Sequence, residues 1–96
     1  DKSTELGYVR DYLFCGFIKE RVAEDTYRLD LKNQIRTGMK LEYISLDVSK
    51  IEDTRFMLLD EQMNQVEQAD HGKIQYIKTT APVKEGYIIR RETMIK

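Results

Sequence analysis

The 96-residue sequence has no tryptophan, one cysteine, one proline and five glycines. A single cysteine, Cys15, cannot form an internal disulfide, which favours an intracellular protein. No apolar run approaches the ~20 residues that a membrane-spanning helix needs, and no signal peptide is recognisable. These absences predict a cytoplasmic protein without a membrane partner, although they do not exclude secretion. The chain also starts without methionine, as expected for a piece of a longer protein.

What the chain does contain is typical of one globular domain, with 41% hydrophobic and 34% charged residues. A chain of this length forms one domain at most and buries roughly 60–65% of its unfolded surface, enough to fold without metal or disulfide. We assign residues 1–10 to a linker or entry segment and residues 11–96 to a single domain. The net charge of −1 is unevenly spread, because the charged residues of segment 42–70 are mostly acidic and those of segment 71–96 mostly basic.

One short pattern occurs twice: an apolar residue, two polar residues, a glycine and then an alternating strand. It first runs from Ile35 through Gly38 into residues 39–44, and it returns from Val83 through Gly86. Glycine adopts positive φ without steric cost, and alternation of apolar and polar residues is typical of a half-buried strand. The two copies predict two equivalent corners of one small β structure.

Seven segments are predicted strands, because they are rich in β-branched and aromatic residues or alternate in polarity. They span residues 13–22, 26–31, 39–44, 54–59, 65–69, 73–79 and 87–91. Gly16 inside the first strand indicates a bulge, a bend or the close approach of another backbone. We predict turns at residues 23–25, 60–64 and 70–72. The polar segment 47–53 is a connection that could hold one helical turn, with Ser49 as its cap.

Seven short strands at a spacing of about 8–12 residues predict an all-β sandwich or barrel. Closure removes exposed strand edges, and the two glycine-led corners favour it. We therefore expect a small closed or nearly closed antiparallel β-barrel of about six to seven short strands. A helix over residues 51–66, which contain many good helix formers, is the competing interpretation of that segment.

The sequence contains no complete catalytic or metal-binding motif. His71, the only histidine, lies beside Asp70 and could act as a general base, but no nucleophile motif accompanies it, and we expect a turn histidine. Cys15 lies among apolar residues and is expected to be an inert core thiol. One cysteine and one histidine cannot supply the three or four ligands of a zinc site. We predict no catalytic residue, no metal and no cofactor in this fragment.

Basic and aromatic residues near the C-terminus are the candidate binding residues. Cationic strands that carry tyrosines can follow a phosphate backbone and stack bases. The same residues would serve only the fold if the tyrosines faced the core and the lysines faced water. The candidates are Lys73, Tyr76, Lys78, Lys84, Tyr87, Arg90 and Arg91.

Three runs occur in a fixed order: R-L-D-L-K-N-Q-I-R-T-G-M-K-L-E-Y-I-S, then V-E-Q-A-D-H-G-K-I, then A-P-V-K-E-G-Y-I-I-R-R. They resemble the C-terminal domain of the collagenase-like peptidase family U32 over about residues 8–92. That domain has a strand ending in Asn before a G-D-x-L/I-E corner, an A-x-H-x-G turn and a closing G-D-x-x-R-R strand. The matching residues here are Asn33, Gly38, Leu41, Glu42, Ala69, His71, Gly86, Arg90 and Arg91. Met39 and Tyr87 stand where the family usually has Asp, and Gly72 stands where it often has Pro.

The resemblance implies a compact β-barrel attached behind a catalytic domain. Proteins of that family are classed as peptidases of unknown catalytic type, and other members support hydroxylation of a tRNA or rRNA base. The family's catalytic residues and iron–sulfur cysteines lie in the upstream domain. The resemblance therefore transfers no catalytic residue to this chain.

We expect a non-catalytic C-terminal accessory domain of a peptidase-like protein, acting as a substrate-binding or protein-interaction module. Its expected partners are the upstream catalytic domain and a protein or peptide substrate. The alternative is an RNA-binding barrel of a tRNA or rRNA base-hydroxylation protein, acting through residues 71–96. A third interpretation is a structural module that packs on its catalytic domain through exposed Phe, Ile or Tyr side chains.

Overall fold

The computed structural model describes the backbone of residues 9–47 and 49–95 and the side chains of residues 12–47 and 49–92. The predicted linker, residues 1–10, lies mostly outside this part of the chain. The described residues form ten strands and no helix. The strands are β1 (Val9–Ala23), β2 (Thr26–Leu31), β3 (Ile35–Arg36), β4 (Leu41–Ile44), β5 (Lys50–Asp53), β6 (Met57–Leu59), β7 (Gln65–Val66), β8 (Gln68–Ala69), β9 (Gln75–Lys78) and β10 (Ile88–Ile95).

Eight of these strands form one antiparallel sheet in the order β5-β4-β10-β1-β2-β9-β6-β7, and β3 pairs with β8 in a separate two-stranded sheet. The large sheet curls through 192° into a half-barrel that is not fully closed. This confirms the prediction of an all-β, nearly closed antiparallel barrel. The competing helix over residues 51–66 is wrong, since β5, β6 and β7 cross that segment. The helical turn proposed within residues 47–53 is also wrong, because β5 forms there instead.

The longest strand, β1, lies at the centre of the sheet and contains the predicted irregularity. Its register against β10 shifts between Phe14 and Gly16, which marks a β-bulge. Gly16 has φ +150°, and a Cβ added there would lie 2.1 Å from the carbonyl oxygen of Asp30 on β2. Only glycine lets β2 approach the bulge so closely.

The two predicted corners are present. Gly38 has φ +90° and Gly86 has φ +92°, and the strands that follow them, β4 and β10, pair with each other. The second corner is attached to β1, because the amide of Gly86 donates to the carbonyl of Ile18 at 2.8 Å. The repeated sequence pattern therefore builds two neighbouring strands of one sheet.

Side chains bridge the interior of the half-barrel between strands that are far apart in the sheet. Asp53 ends β5 at one edge, whereas Thr79 follows β9, five places away in the strand order. The hydroxyls of Tyr43 and Thr79 both donate to the same Asp53 carboxylate oxygen, at 2.7 and 2.5 Å. Tyr43 is fully buried, and burial and then the Asp53 carboxylate raise the pKa of its hydroxyl. We call these three residues the seam cluster.

The core fills the concave side of the sheet and includes the buried thiol predicted from the sequence. It is built from Cys15, Ile18, Tyr27, Leu29, Leu31, Ile35, Leu41, Tyr43, Phe56, Leu58, Ala69, Ile77, Val83 and Ile89. Burial raises the pKa of the Cys15 thiol, and the charge of nearby Arg91 partly offsets that rise. A buried, protonated thiol is a packing residue rather than a nucleophile.

Candidate protein-docking face

The convex side of the sheet carries a group of apolar side chains that are open to solvent. Tyr12, Phe14 and Ile88 are 36%, 41% and 36% exposed, and Phe17 and Ile44 are partly exposed. They lie on three adjacent strands, β4, β10 and β1. We call these five residues the outer apolar face.

The register of the strands makes this face continuous. Ile88 on β10 lies directly opposite Ile44 on β4 and opposite Phe17 on β1, and residues opposite each other in a sheet share a face. The rings of Phe14 and Phe17 meet edge to face with centroids 5.3 Å apart. Three residues of separation would put these two rings on opposite sides of a regular strand. The bulge before Gly16 adds the extra residue that brings them to the same side.

An ion pair lies within the outer apolar face. Arg90 on β10 is opposite Glu42 on β4 and Phe14 on β1. Its Nε donates to Glu42 Oε1 at 2.8 Å, and its guanidinium carbon lies 3.8 Å from the ring centroid of Tyr12. Glu42 is only 1% exposed, and its other oxygen lies 3.9 Å from the Lys50 ammonium. The positive charge of Arg90 is therefore neutralised, and the guanidinium contacts an aromatic ring.

Charges of both signs surround this face and pair with one another. The ammonium of Lys40 lies 3.5 Å from Glu92 and 3.7 Å from Glu52. Beside Phe17, Asp30 pairs with Lys32 at 3.4 Å. Exposed pairs of this kind add little stability, but they leave no strong field of one sign around the apolar residues.

The seven candidate binding residues do not form one cluster. Arg90 contributes to the outer apolar face. Arg91 lies opposite the buried Leu41 and is half-buried on the inner side. Tyr76 and Lys78 are on β9, which β1 and β2 separate from β10.

The remaining three candidates lie in turns and connections. Lys73 is exposed in the turn before β9 and pairs with Asp70 at 3.7 Å. Lys84 and Tyr87 line a shallow groove of about 310 Å³ at one end of the barrel, next to the largely exposed Leu46. A second groove of about 500 Å³ adjoins it and is lined by Arg21, Tyr27, Val83, Lys84 and Glu85. The structure places these residues but does not test their binding, so their role stays a prediction.

Hydrogen bonds to glutamine side chains hold the turn that contains the only histidine. Gln75 is buried, and its side-chain oxygen accepts a hydrogen bond from the amide of Asp70 at 2.6 Å. The Asp70 carboxylate accepts hydrogen bonds from the side chains of Gln68 and Gln34, which lower its pKa. His71 is exposed in the turn that follows. Asp70 thus connects the residue before β3 with β8 and β9 and serves the fold.

Two further kinds of site are absent from the part of the chain that the structure describes. It contains no group of three or more His, Cys, Asp and Glu side chains placed to hold a metal ion. It also contains no helix of the length and hydrophobicity needed to cross a membrane. The outer apolar face is a contiguous group of accessible apolar side chains on one side of the sheet.

The model for the C-terminal domain of peptidase family U32 matches residues 10–90 of the chain. The chain belongs to this family. A crystal structure of the C-terminal domain of a U32 peptidase from Geobacillus thermoleovorans has a similar fold, with a TM-score of 0.70 and 20% identity over 83% of this chain and 92% of that one. Its selenomethionine form gives a TM-score of 0.69 and 18% identity over 82% and 99%. A search of curated proteins found no match.

The family assignment agrees with the resemblance found in the sequence, whereas the residues of the outer apolar face, apart from Arg90 within it, were not among the predicted binding residues. In the sequence, Tyr12 and Phe14 alternate with Leu13 and Cys15, and this pattern indicates that the two aromatic residues share one side of the strand. The bulge concealed the third aromatic residue, because it reverses the alternation before Phe17. Glu42 was placed on the solvent side by alternation, and its burial depends on Arg90 and Lys50 from neighbouring strands.

Proposed function

We propose that this U32 C-terminal domain is a non-catalytic accessory domain that binds a protein surface through its outer apolar face. The supporting observation is that Tyr12, Phe14, Phe17, Ile44 and Ile88 are contiguous and accessible on one side of the sheet. The largest contiguous apolar patch on a folded domain is often functional. Tyrosine and arginine are also the residues most enriched at energetic centres of protein interfaces, and Tyr12 and Arg90 stack within this face.

The charges around the face favour a protein over a nucleic acid. Nucleic-acid affinity depends on cations that replace the counterions of phosphates, and Arg90 is already neutralised by Glu42. Base stacking needs a free aromatic surface, and the Arg90 guanidinium covers one side of the Tyr12 ring. The RNA-binding alternative therefore depends on lysines that lie elsewhere, such as Lys78 and Lys84.

The proposal can be tested with a photoreactive benzoylphenylalanine placed at Phe14 or Ile88 in the full-length parent protein inside its own cells. Ile74 and Met63, exposed apolar residues outside this face, are the matched control positions. We expect protein adducts at positions 14 and 88, identified as peptide pairs by mass spectrometry, and none at positions 63 and 74.

Specificity is checked by adding Ile44→Glu to the protein that carries the probe at position 88. A docked partner should then be lost, whereas a random collision product should persist. Adducts to RNA at positions 14 and 88, or no protein adduct at either, would overturn the proposed function.

The non-catalytic part of the proposal has its own test. The 96-residue chain should not hydrolyse casein, because its only histidine is exposed in a turn whose carboxylate is held by two glutamine amides. Hydrolysis by the purified chain that disappears in His71→Ala would contradict this part and leave the docking face to be judged by the crosslinks.

A further inference from the structure

We infer that the occupant of the outer apolar face is the domain that precedes this one in the same polypeptide, so that the contact is intramolecular. The inference rests on the proposed function, since it names the partner of the same face. It follows from three observations: the position at which the chain enters the fold, the size of the exposed apolar area and the balance of charge around it.

The chain enters the sheet beside the face. Tyr12, Phe14 and Phe17 all belong to β1, and the described part of β1 begins at Val9, three residues before Tyr12. At ~3.3 Å per residue in a strand, that entry point lies about 10 Å from Tyr12. Whatever precedes β1 in the polypeptide is therefore attached at the end of the strand that carries three of the five residues of the outer apolar face.

The exposed area is small for a partner that must bind from solution. Aromatic side chains offer roughly 200 Å² each, so five residues that are about 40% exposed or less present on the order of 300 Å² of apolar surface. A stable complex of separate proteins buries ~800 Å² on each partner. A covalently attached domain needs less, because attachment makes the contact intramolecular and raises the effective concentration of the partner. The area therefore favours a covalently attached partner over a second copy of this chain.

The charges around the face are consistent with a tethered neighbour. Lys40, Lys50, Glu52 and Glu92 form pairs within the domain. Long-range steering by a field of one sign accelerates encounters between separate molecules, and a linked domain does not need it. The expected counterpart is an apolar protein surface of low net charge.

Thiol labelling measures whether the face is covered. Phe14→Cys and Ile88→Cys place reactive thiols in the face, Ile74→Cys places one outside it, and the native Cys15 is fully buried. Labelling rates with a maleimide are compared between the 96-residue chain and the full-length parent. We expect at least tenfold slower labelling at positions 14 and 88 in the parent, at every protein concentration, and equal rates at position 74. Adding Ile44→Glu to the parent should restore fast labelling at position 88.

Every other outcome overturns the intramolecular contact, and one outcome also overturns the proposed function. Equal rates in the two proteins would overturn the intramolecular contact, and the photocrosslinks would then show whether a separate protein binds instead. Protection that increases with protein concentration would identify a second copy as the occupant and also overturn the inference. Equal rates together with no protein crosslinks would overturn both the inference and the proposed function. Thermal melts of each cysteine variant establish that the fold is intact.

Discussion

A basic residue near a C-terminus can bind phosphate only if its charge is free, and Arg90 illustrates why the sequence alone does not decide this. The sequence places Arg90 on a strand but does not show that Glu42, 48 positions earlier, lies opposite it. The pair forms because β4 and β10 are neighbours in the sheet. A carboxylate that is 1% exposed needs a cationic partner, so Arg90 has a structural role whatever else it binds.

Replacing Arg90 with methionine should lower the free energy of unfolding by about 2–4 kcal/mol, because the buried Glu42 would keep only a distant Lys50. Urea denaturation at pH 7 measures the change. Lys32→Met is the matched control, since it removes an exposed ion pair worth about 0–1 kcal/mol. The double variant Arg90→Met/Glu42→Gln should recover part of the loss. A cost for Arg90→Met no larger than that of Lys32→Met would contradict the role assigned to the pair.

Among the elements, the long strand β1 shows best what sequence patterns can and cannot predict. The predicted strand over residues 13–22 is confirmed, and so are the second strand, the bulge at Gly16 and both glycine corners. Local composition determines these features. By contrast, β3, β7 and β8 have two residues each, and such short strands exist only through their tertiary pairing. The predicted strand over residues 65–69 contains β7 and β8, but not their division or their different partners, β6 and β3. No local pattern predicts β3, nor the side of β1 that Phe17 takes after the bulge.

Two alanine variants test whether the close approach of β2 or backbone strain is what requires glycine at position 16. Gly16→Ala should cost more than about 3 kcal/mol or prevent folding, because the new Cβ would meet the Asp30 carbonyl at 2.1 Å. Gly38→Ala should cost only about 1–2 kcal/mol, since its positive φ is strained but nothing lies within 4 Å of the new Cβ. Thermal denaturation compares the two variants. Equal costs would show that the close approach of β2 is not what requires glycine at position 16.

In the whole molecule, the sheet stops short of closing, and both the seam cluster and the small β3–β8 ladder connect segments that are far apart in its strand order. Alternation in the sequence correctly predicts a strand that contains Tyr43. The polar segment 47–53, which contains Asp53, is instead predicted to be a solvated connection. Asp53 acquires its role only when the half-barrel brings Thr79 within hydrogen-bonding distance. The sequence therefore predicts the curled sheet but not the cluster that connects β5 with the segment after β9.

Thr79→Val tests the seam cluster with little change in side-chain size. It should lower the free energy of unfolding by about 1–2 kcal/mol, since Asp53 loses a donor, and should increase amide exchange in β5 more than in β1. Thr80→Val, at the exposed neighbouring position, is the control and should change stability by less than about 0.5 kcal/mol. Unchanged exchange in β5 would mean that Thr79 does not connect the two parts of the sheet.

A sheet with two exposed edge strands can form hydrogen bonds with strands of other molecules along those edges. At the open ends of this half-barrel, β7 has only two residues, and β5 carries Lys50 and Glu52 on its solvent-facing side. A short or charged edge gives an incoming strand little to pair with and requires it to bury charge. The short β7 and the charged β5 should therefore keep the incomplete barrel from assembling into filaments.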